Sequence, residues 1–225
     1  MFHSVSPFLA VAALAILLVP ATACAGKGAS AQTGAAVDSG KAEATEAAAP
    51  TGTGVSGATA DYESFKEALE EAKDDAEKTA ILVILALVAY QKDQVIGGDM
   101  LVQLVRTKYH YGNPDRPDGV ELNRYASDDL RHVRTKPYLL KGYCGGTLAK
   151  RYEDADLDAC KPELDKEYSK DRQGVNYPKE GRAKFFVKHA GSSYPKPMEL
   201  IHEDGRWRVY SYSGLMSVHP PEGEE

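Results

Sequence analysis

Ala80-Ile81-Leu82-Val83-Ile84-Leu85-Ala86-Leu87-Val88-Ala89 is an apolar run with no polar face. As a helix, ten residues rise about 15 Å, half of a bilayer's hydrocarbon core of about 30 Å. The run is too short to cross a membrane, and a helix that is apolar all round has to be enclosed by protein. It therefore belongs at the centre of a globular unit, and the flanking sequence must supply the cover. Upstream, Tyr62, Phe65, Leu69, Ala72 and Ala76 recur at the three-to-four spacing of one helix face. Asp61 is placed to cap that helix, and Asp74-Asp75 to restart the chain into the apolar run. Downstream, Gly97-Gly98-Asp99 reads as the punctuation and cap of a third helix that turns Leu101, Leu104 and Val105 inward.

The stretch Gly112-Asn113-Pro114-Asp115-Arg116-Pro117-Asp118-Gly119 is a loop by its turn residues, and a fourth short helix is expected over Val120–His132. After Lys136-Pro137 the periodicity changes. Asp204-Gly205 between Met198–Glu203 and Arg206–Tyr212 is a strong hairpin signal. Ala183–His189 alternates as a further strand, and Leu164–Ser169 is a weaker candidate. Trp207 and Val209 are expected to face the helices, with Arg206, Arg208, Tyr210 and Tyr212 on the other side. The fold class that follows is α+β: an N-terminal helical layer packed on a C-terminal antiparallel sheet of three or four strands.

The chain before the first helix reads as an address. Phe8 to Val19 is an apolar stretch of signal-peptide length, and Pro20 breaks the helix. Ala21-Thr22-Ala23-Cys24 then resembles the bacterial lipoprotein processing signal, in which the cysteine is lipidated and becomes the new N-terminus. The third position before the cysteine is Ala21 rather than the usual Leu, and Met1–Pro7 has no Lys or Arg. The same residues fit the ordinary A-x-A rule, which would release a soluble secreted protein, and an uncleaved anchor is the remaining alternative. Residues 1–23 are thus expected as a lipoprotein signal peptide and 24–60 as a tether. Of the 36 residues from Ala25 to Ala60, 27 are Ala, Gly, Ser or Thr, too little apolar surface to offset the entropy of ordering. Residues 61–217 form the single globular domain and 218–225 an acidic tail. The expected location is the cell envelope, lipid-anchored at Cys24 in the outer membrane if the organism has one, and otherwise secreted.

From Asp61 to Pro221 there are 25 Lys and Arg against 27 Asp and Glu, without a basic block. That balance argues against a nucleic-acid partner, whose affinity rests on neutralising phosphates. With Cys24 assigned to lipid, Cys144 and Cys160 remain, and an even remainder in an oxidising compartment reads as one disulfide. A free structural thiol and a catalytic thiolate at Cys144 are the alternatives; the latter needs a base beside it, and His132, His189 and His202 are the available histidines. No Walker loop, G-x-S-x-G, H-E-x-x-H or CxxC pair is present, and no cofactor or metal is expected. The 112–119 loop lacks calcium-loop spacing because Pro117 and Asp118 stand at the fifth and sixth positions. Asp128 and His132, one turn apart, read as a surface pair rather than metal ligands.

Tyrosine is over-used, 13 residues against five Phe. Those of the later half interleave with Lys and Arg, which suits a half-exposed surface. Tyr138, Tyr143 and Tyr194 with Lys196 are the candidate binding surface, lying on or beside glycine- and proline-rich loops.

The domain resembles an uncharacterised bacterial family, known only as a domain of unknown function and found in exported and lipid-anchored proteins. The matching residues are Ile84–Tyr90, Asp128-Asp129-Leu130, Lys136-Pro137-Tyr138, Lys141-Gly142 and Gly145-Gly146-Thr147, then Ala190–Leu200 and Gly205-Arg206-Trp207. Where relatives carry Gly-Ala-Thr-Pro-Glu-Asn this chain reads Gly145-Gly146-Thr147-Leu148-Ala149-Lys150, and their Pro-Arg-Pro reads Pro195-Lys196-Pro197. The resemblance implies the domain limits and export, and no catalytic residue. The expectation is a non-enzymatic lipoprotein that binds a cell-wall polymer or an envelope protein. The alternatives are an envelope hydrolase with a Ser192 or Cys144 nucleophile, and a structural accessory subunit of an envelope complex.

Overall fold

The computed structural model describes residues 61–168 and 181–221. The proposed signal, Cys24 and tether, and part of the acidic tail, lie outside the described residues. Helix α1 (Tyr62–Glu71) is capped by Asp61, whose side chain accepts from the Ser64 amide at 2.8 Å, and it buries Phe65 and Leu69. Helix α2 (Ala76–Lys92) is capped by Asp75 and carries the apolar run, of which Leu82 to Ala89 are all buried. At the join, the Thr79 hydroxyl donates to Ala72 O at 3.0 Å, which keeps a buried polar group satisfied. No helix among the described residues is long and apolar enough to cross a membrane.

Helix α3 (Gln94–Leu104) starts earlier than the glycines suggest. Asp93 is the cap, accepting from the amides of Val95 and Ile96, and Gly97-Gly98-Asp99 lies inside the helix. The physical reason is close packing: a Cβ on Gly97 would fall on the backbone of Tyr90, so glycine lets α3 fold back against α2.

The stretch expected as one helix over Val120–His132 is three elements. β1 (His110–Gly112) and β2 (Val120–Leu122) form a small antiparallel hairpin around the 112–119 loop. Asn123 then caps α4 (Arg124–Asp129), and α5 (Arg131–Thr135) follows. Three residues of strand are too few to show an alternation, and the Asn123 cap marks where the helix begins. Asp128 and His132 fall on different helices.

The main sheet has the order β3-β4-β5, all antiparallel, from β3 (Arg182–Val187), β4 (Lys196–Glu203) and β5 (Arg206–Ser211). The β4–β5 turn is Asp204-Gly205 with φ of 54° and 75°, the left-handed pair of a tight hairpin. Ala183, Phe185, Val187, Met198, Leu200, Trp207 and Val209 are buried in one core with α2. Among the described residues the sheet thus has three strands: Leu164 contributes an isolated bridge to Val187 and the chain turns over 166–168, while Ser169, the end of the expected strand, lies outside the described residues.

The outer face also departs from expectation. Arg208 reaches the end of α3, donating to Gln103 O at 3.3 Å and Val105 O at 3.1 Å, where a cation suits the carbonyl end of a helix. Tyr212 follows the last strand residue and is buried. Tyr210 remains outside, its ring flanked by the guanidinium groups of Arg182 and Arg106 at 4.0 Å and 5.6 Å.

Candidate binding site

Short helix α6 (Tyr138–Lys141) delivers the chain into the glycine loop Gly142–Thr147. Two contacts fix that loop to distant parts of the sequence. Cys144 is disulfide-bonded to Cys160, with Cα atoms 4.5 Å apart, which settles the pairing and leaves neither thiol free. Gly142 O accepts from the Ala190 amide at 3.1 Å, joining the loop to the segment after β3. From Cys160 the chain runs beside β3, where Lys188 N donates to Glu163 O at 2.9 Å and Asp165 N to Phe186 O at 2.7 Å. In this extended stretch Lys161, Glu163 and Asp165 share one side, while Pro162 is buried and Leu164 packs on the core.

These three segments enclose a cleft of about 480 Å³, within the ordinary range of ligand sites. Gly142, Tyr143 and Gly145 contribute from the first segment, and Lys161, Glu163 and Asp165 from the second. Lys188, His189, Ser192, Ser193 and Pro195 complete the lining from the third. Lys188 pairs with Glu163 at 3.2 Å. Asp165 accepts from the amides of Glu167 and Tyr168, both at 3.1 Å, capping its own turn.

His189 forms the inner wall and is 4% exposed. Its Nδ1 accepts from the Gly191 amide at 3.0 Å, so Nε2 carries the proton and donates to Leu139 O at 3.2 Å. Burial, with a smaller effect from the Lys196 charge, pulls the imidazole down to about 4, against a weaker upward pull from the Leu139 carbonyl. The ring is neutral at pH 7 and both nitrogens are occupied. Tyr143 and Tyr152 stand edge-on to it, with centroids 4.6 Å and 5.7 Å away. Gly142 and Gly191 are needed here: a Cβ on the first would strike the His189 ring, and on the second the Tyr152 hydroxyl.

Tyr152 is fully buried, and its hydroxyl has no hydrogen-bond partner among the described residues. It and Arg151 both hold left-handed backbone, with φ of 62° and 52°. A carboxylate clasp maintains that turn: Asp154 accepts from the Thr147 amide at 2.7 Å and hydroxyl at 2.8 Å, while Tyr152 N donates to Thr147 O at 2.8 Å. The Thr147 bonds hold the Asp154 carboxyl below the usual range.

Of the candidate surface, the structure divides the members. Tyr143 is buried, and its hydroxyl donates to Leu215 O at 2.8 Å; Tyr138 is also buried, stacked near Tyr152 with centroids 6.4 Å apart. Neither can form an exposed platform, because each places its ring in the core. Tyr194 is 68% exposed and Lys196 half-buried, so these two stay at the surface, while Ser193 and Pro195 on either side of Tyr194 line the cleft. Ser192 Oγ accepts weakly from the Tyr194 amide at 3.4 Å. Lys161, Glu163, Asp165 and Lys188 were missed. The signal for the first three was present, as charged residues at every second position of an extended segment. Among the described residues, no group of three or more His, Cys, Asp or Glu side chains could hold a metal.

Residues 58–222 match the family described as Domain of unknown function (DUF6935). The chain belongs to the DUF6935 family. No curated protein and no solved structure matches it. Within this DUF6935 domain, Gly142 and Gly145 meet Ala190, Ser192, Ser193 and Pro195, far apart in sequence, at one cleft.

Proposed function

We propose that this DUF6935 protein is an exported, non-enzymatic binding protein, lipid-anchored through Cys24, that carries its domain on the 24–60 tether and holds an envelope polymer or protein partner in the cleft. The observation that carries the reading is the convergence of the two glycine-containing loops on a cleft of about 480 Å³ with mixed polar and apolar walls. Its reactive-looking groups are already engaged. Cys144 is oxidised, and His189 spends both nitrogens on backbone partners, so neither supplies a nucleophile or base in this arrangement. The lining offers hydroxyls at Ser192 and Ser193 and the Lys161 ammonium beside the Tyr143 and His189 rings, the mixture of polar and aromatic groups that fixes a ligand's orientation.

The test is co-sedimentation of the purified chain with envelope preparations from its host, comparing wild type with the triple variant Lys161→Ala, Ser192→Ala, Ser193→Ala. Loss of about tenfold or more in affinity, equivalent to about 1.4 kcal/mol, is the expected result for a used cleft. Equal retention of both proteins would remove the cleft from the account. Labelling of Ser192 by a fluorophosphonate probe in the folded, non-reduced protein would instead favour hydrolysis.

A further inference from the structure

Lys161 carries a charge that the fold leaves unanswered. The cleft is lined by the charged residues Lys161, Glu163, Asp165 and Lys188. Glu163 holds the Lys188 ammonium at 3.2 Å, and Asp165 accepts from the amides of Glu167 and Tyr168. The Lys161 side chain has no ion pair or hydrogen bond among the described residues, and the residue is exposed. At the inner wall His189 is neutral with both nitrogens bonded, and the charge that acts on its ring is the Lys196 ammonium, again positive.

The uncharged polar groups of the lining add donors. Ser192 Oγ accepts from the Tyr194 amide at 3.4 Å, which leaves its own proton to donate. The Ser193 hydroxyl and the amides of Gly145 and Ser193 have no partner among the described residues. An ammonium with hydroxyl and amide donors suits an anionic oxygen group, and hydrogen bonds to a charged acceptor are roughly twice as strong as neutral ones. Two ammonium groups in the lining stand against two carboxylates. A polyanion would therefore meet like charge at Glu163 and Asp165, and a single negative charge fits. The other walls at this opening are apolar, from Ala190, Pro195 and the Tyr143 ring, whose hydroxyl is taken by Leu215 O. They suit the apolar side chain at the end of a peptide better than a sugar acid, whose ring hydroxyls would need partners of their own.

Resting on the reading of the cleft as a binding site, we infer that it takes the C-terminal carboxylate of a peptide with an apolar last residue, bonded to the Lys161 ammonium and the hydroxyls of Ser192 and Ser193. The experiment is calorimetric titration of the full chain with N-acetyl-Ala-Ala-Leu as the free acid and with the same peptide amidated at its C-terminus. Trigalacturonate, a sugar acid, and inorganic phosphate are titrated beside them. The free acid should bind at least about tenfold more tightly than the amide. Its affinity should fall about two- to threefold between low and moderate salt, as for one exposed charge. Lys161→Ala should bring the free acid to the level of the amide, and Lys161→Arg should stay within about threefold of wild type. Lys166→Ala, which removes a charge of the same segment outside the lining, should leave binding unchanged. Equal affinity for acid and amide, or for wild type and Lys161→Ala, overturns the inference. Failure of the free acid to bind does so too, and tighter binding of trigalacturonate or phosphate replaces the peptide with another anion. In each of these cases, envelope co-sedimentation that still falls in the triple cleft variant keeps the cleft as a binding site, and co-sedimentation indifferent to that variant removes both readings.

Discussion

His189 shows how a single side chain can be fixed by its surroundings. Its folded-state value is about 4, against about 6.5 for an exposed histidine, because burial disfavours the imidazolium. Between those values the unfolded chain binds more protons than the folded one. Stability is therefore fully present above pH 6.5 and is lost as pH falls towards 4, by roughly 3 kcal/mol in all. Lys196 opposes the same protonation through its charge, while Tyr143 and Tyr152 pack the ring edge-on. Urea titrations at pH 7 and pH 4.5 should show a smaller acid-induced loss for His189→Gln than for wild type. His110, also depressed by burial, acts equally in both proteins and drops out of the comparison. An identical loss in the two proteins would mean that the ring is not held neutral. Apart from the local Gly191 amide, this environment was not legible from the sequence, because Leu139, Tyr143 and Tyr152 meet His189 only through the tertiary fold. Tyr143 was misread for a related reason. An amphipathic side chain suits a surface or a core equally, and the choice rests on the Leu215 carbonyl, 72 residues away.

At the scale of elements, the sequence was most informative where structure is local. The Asp61 and Asp75 caps, the apolar α2 and the Asp204-Gly205 turn each follow from a few adjacent residues. The α3 start was misplaced because two glycines punctuate more loudly than one aspartate, although Gly97 serves the crossing with α2. The β1–β2 hairpin was missed because three-residue strands leave no periodic trace. Burial of α2 on all sides makes a sharp stability prediction. Leu87→Ala, at a fully enclosed position, should cost roughly 2–5 kcal/mol, while Val95→Ala on the exposed start of α3 should stay within about 0.5 kcal/mol. Denaturant midpoints at unchanged slope would measure both, and comparable losses at the two positions would contradict the enclosed helix.

For the whole molecule, the sequence led directly to the α+β arrangement, since the all-round apolar helix needs cover on every side and the Asp204-Gly205 hairpin with the Ala183–His189 alternation marks a sheet to supply part of it. The disulfide was also legible, by arithmetic on three cysteines once one is assigned elsewhere. That assignment makes its own prediction. In the native host, Cys24→Ser should move the protein from the membrane fraction to the soluble exported fraction, with unchanged thermal unfolding of the domain, and intact mass should show loss of the acyl groups. Continued sedimentation with membranes would remove the lipid anchor and leave the domain's cleft as it is. The cleft itself could not be located from sequence, because it exists only where the disulfide, the Gly142–Ala190 bond and the 161–165 segment bring three stretches together.

Trp207 has a practical consequence. It is the chain's one tryptophan, it is buried between sheet and helices, and its backbone amide donates to Lys73 O at the α1–α2 turn, 3.2 Å away. The indole stands edge-on to His202, with centroids 5.2 Å apart. Light emitted at long ultraviolet wavelengths therefore originates from one seam, where the first two helices dock on the last strand. A red shift of that emission registers the moment this seam admits solvent, without any attached dye.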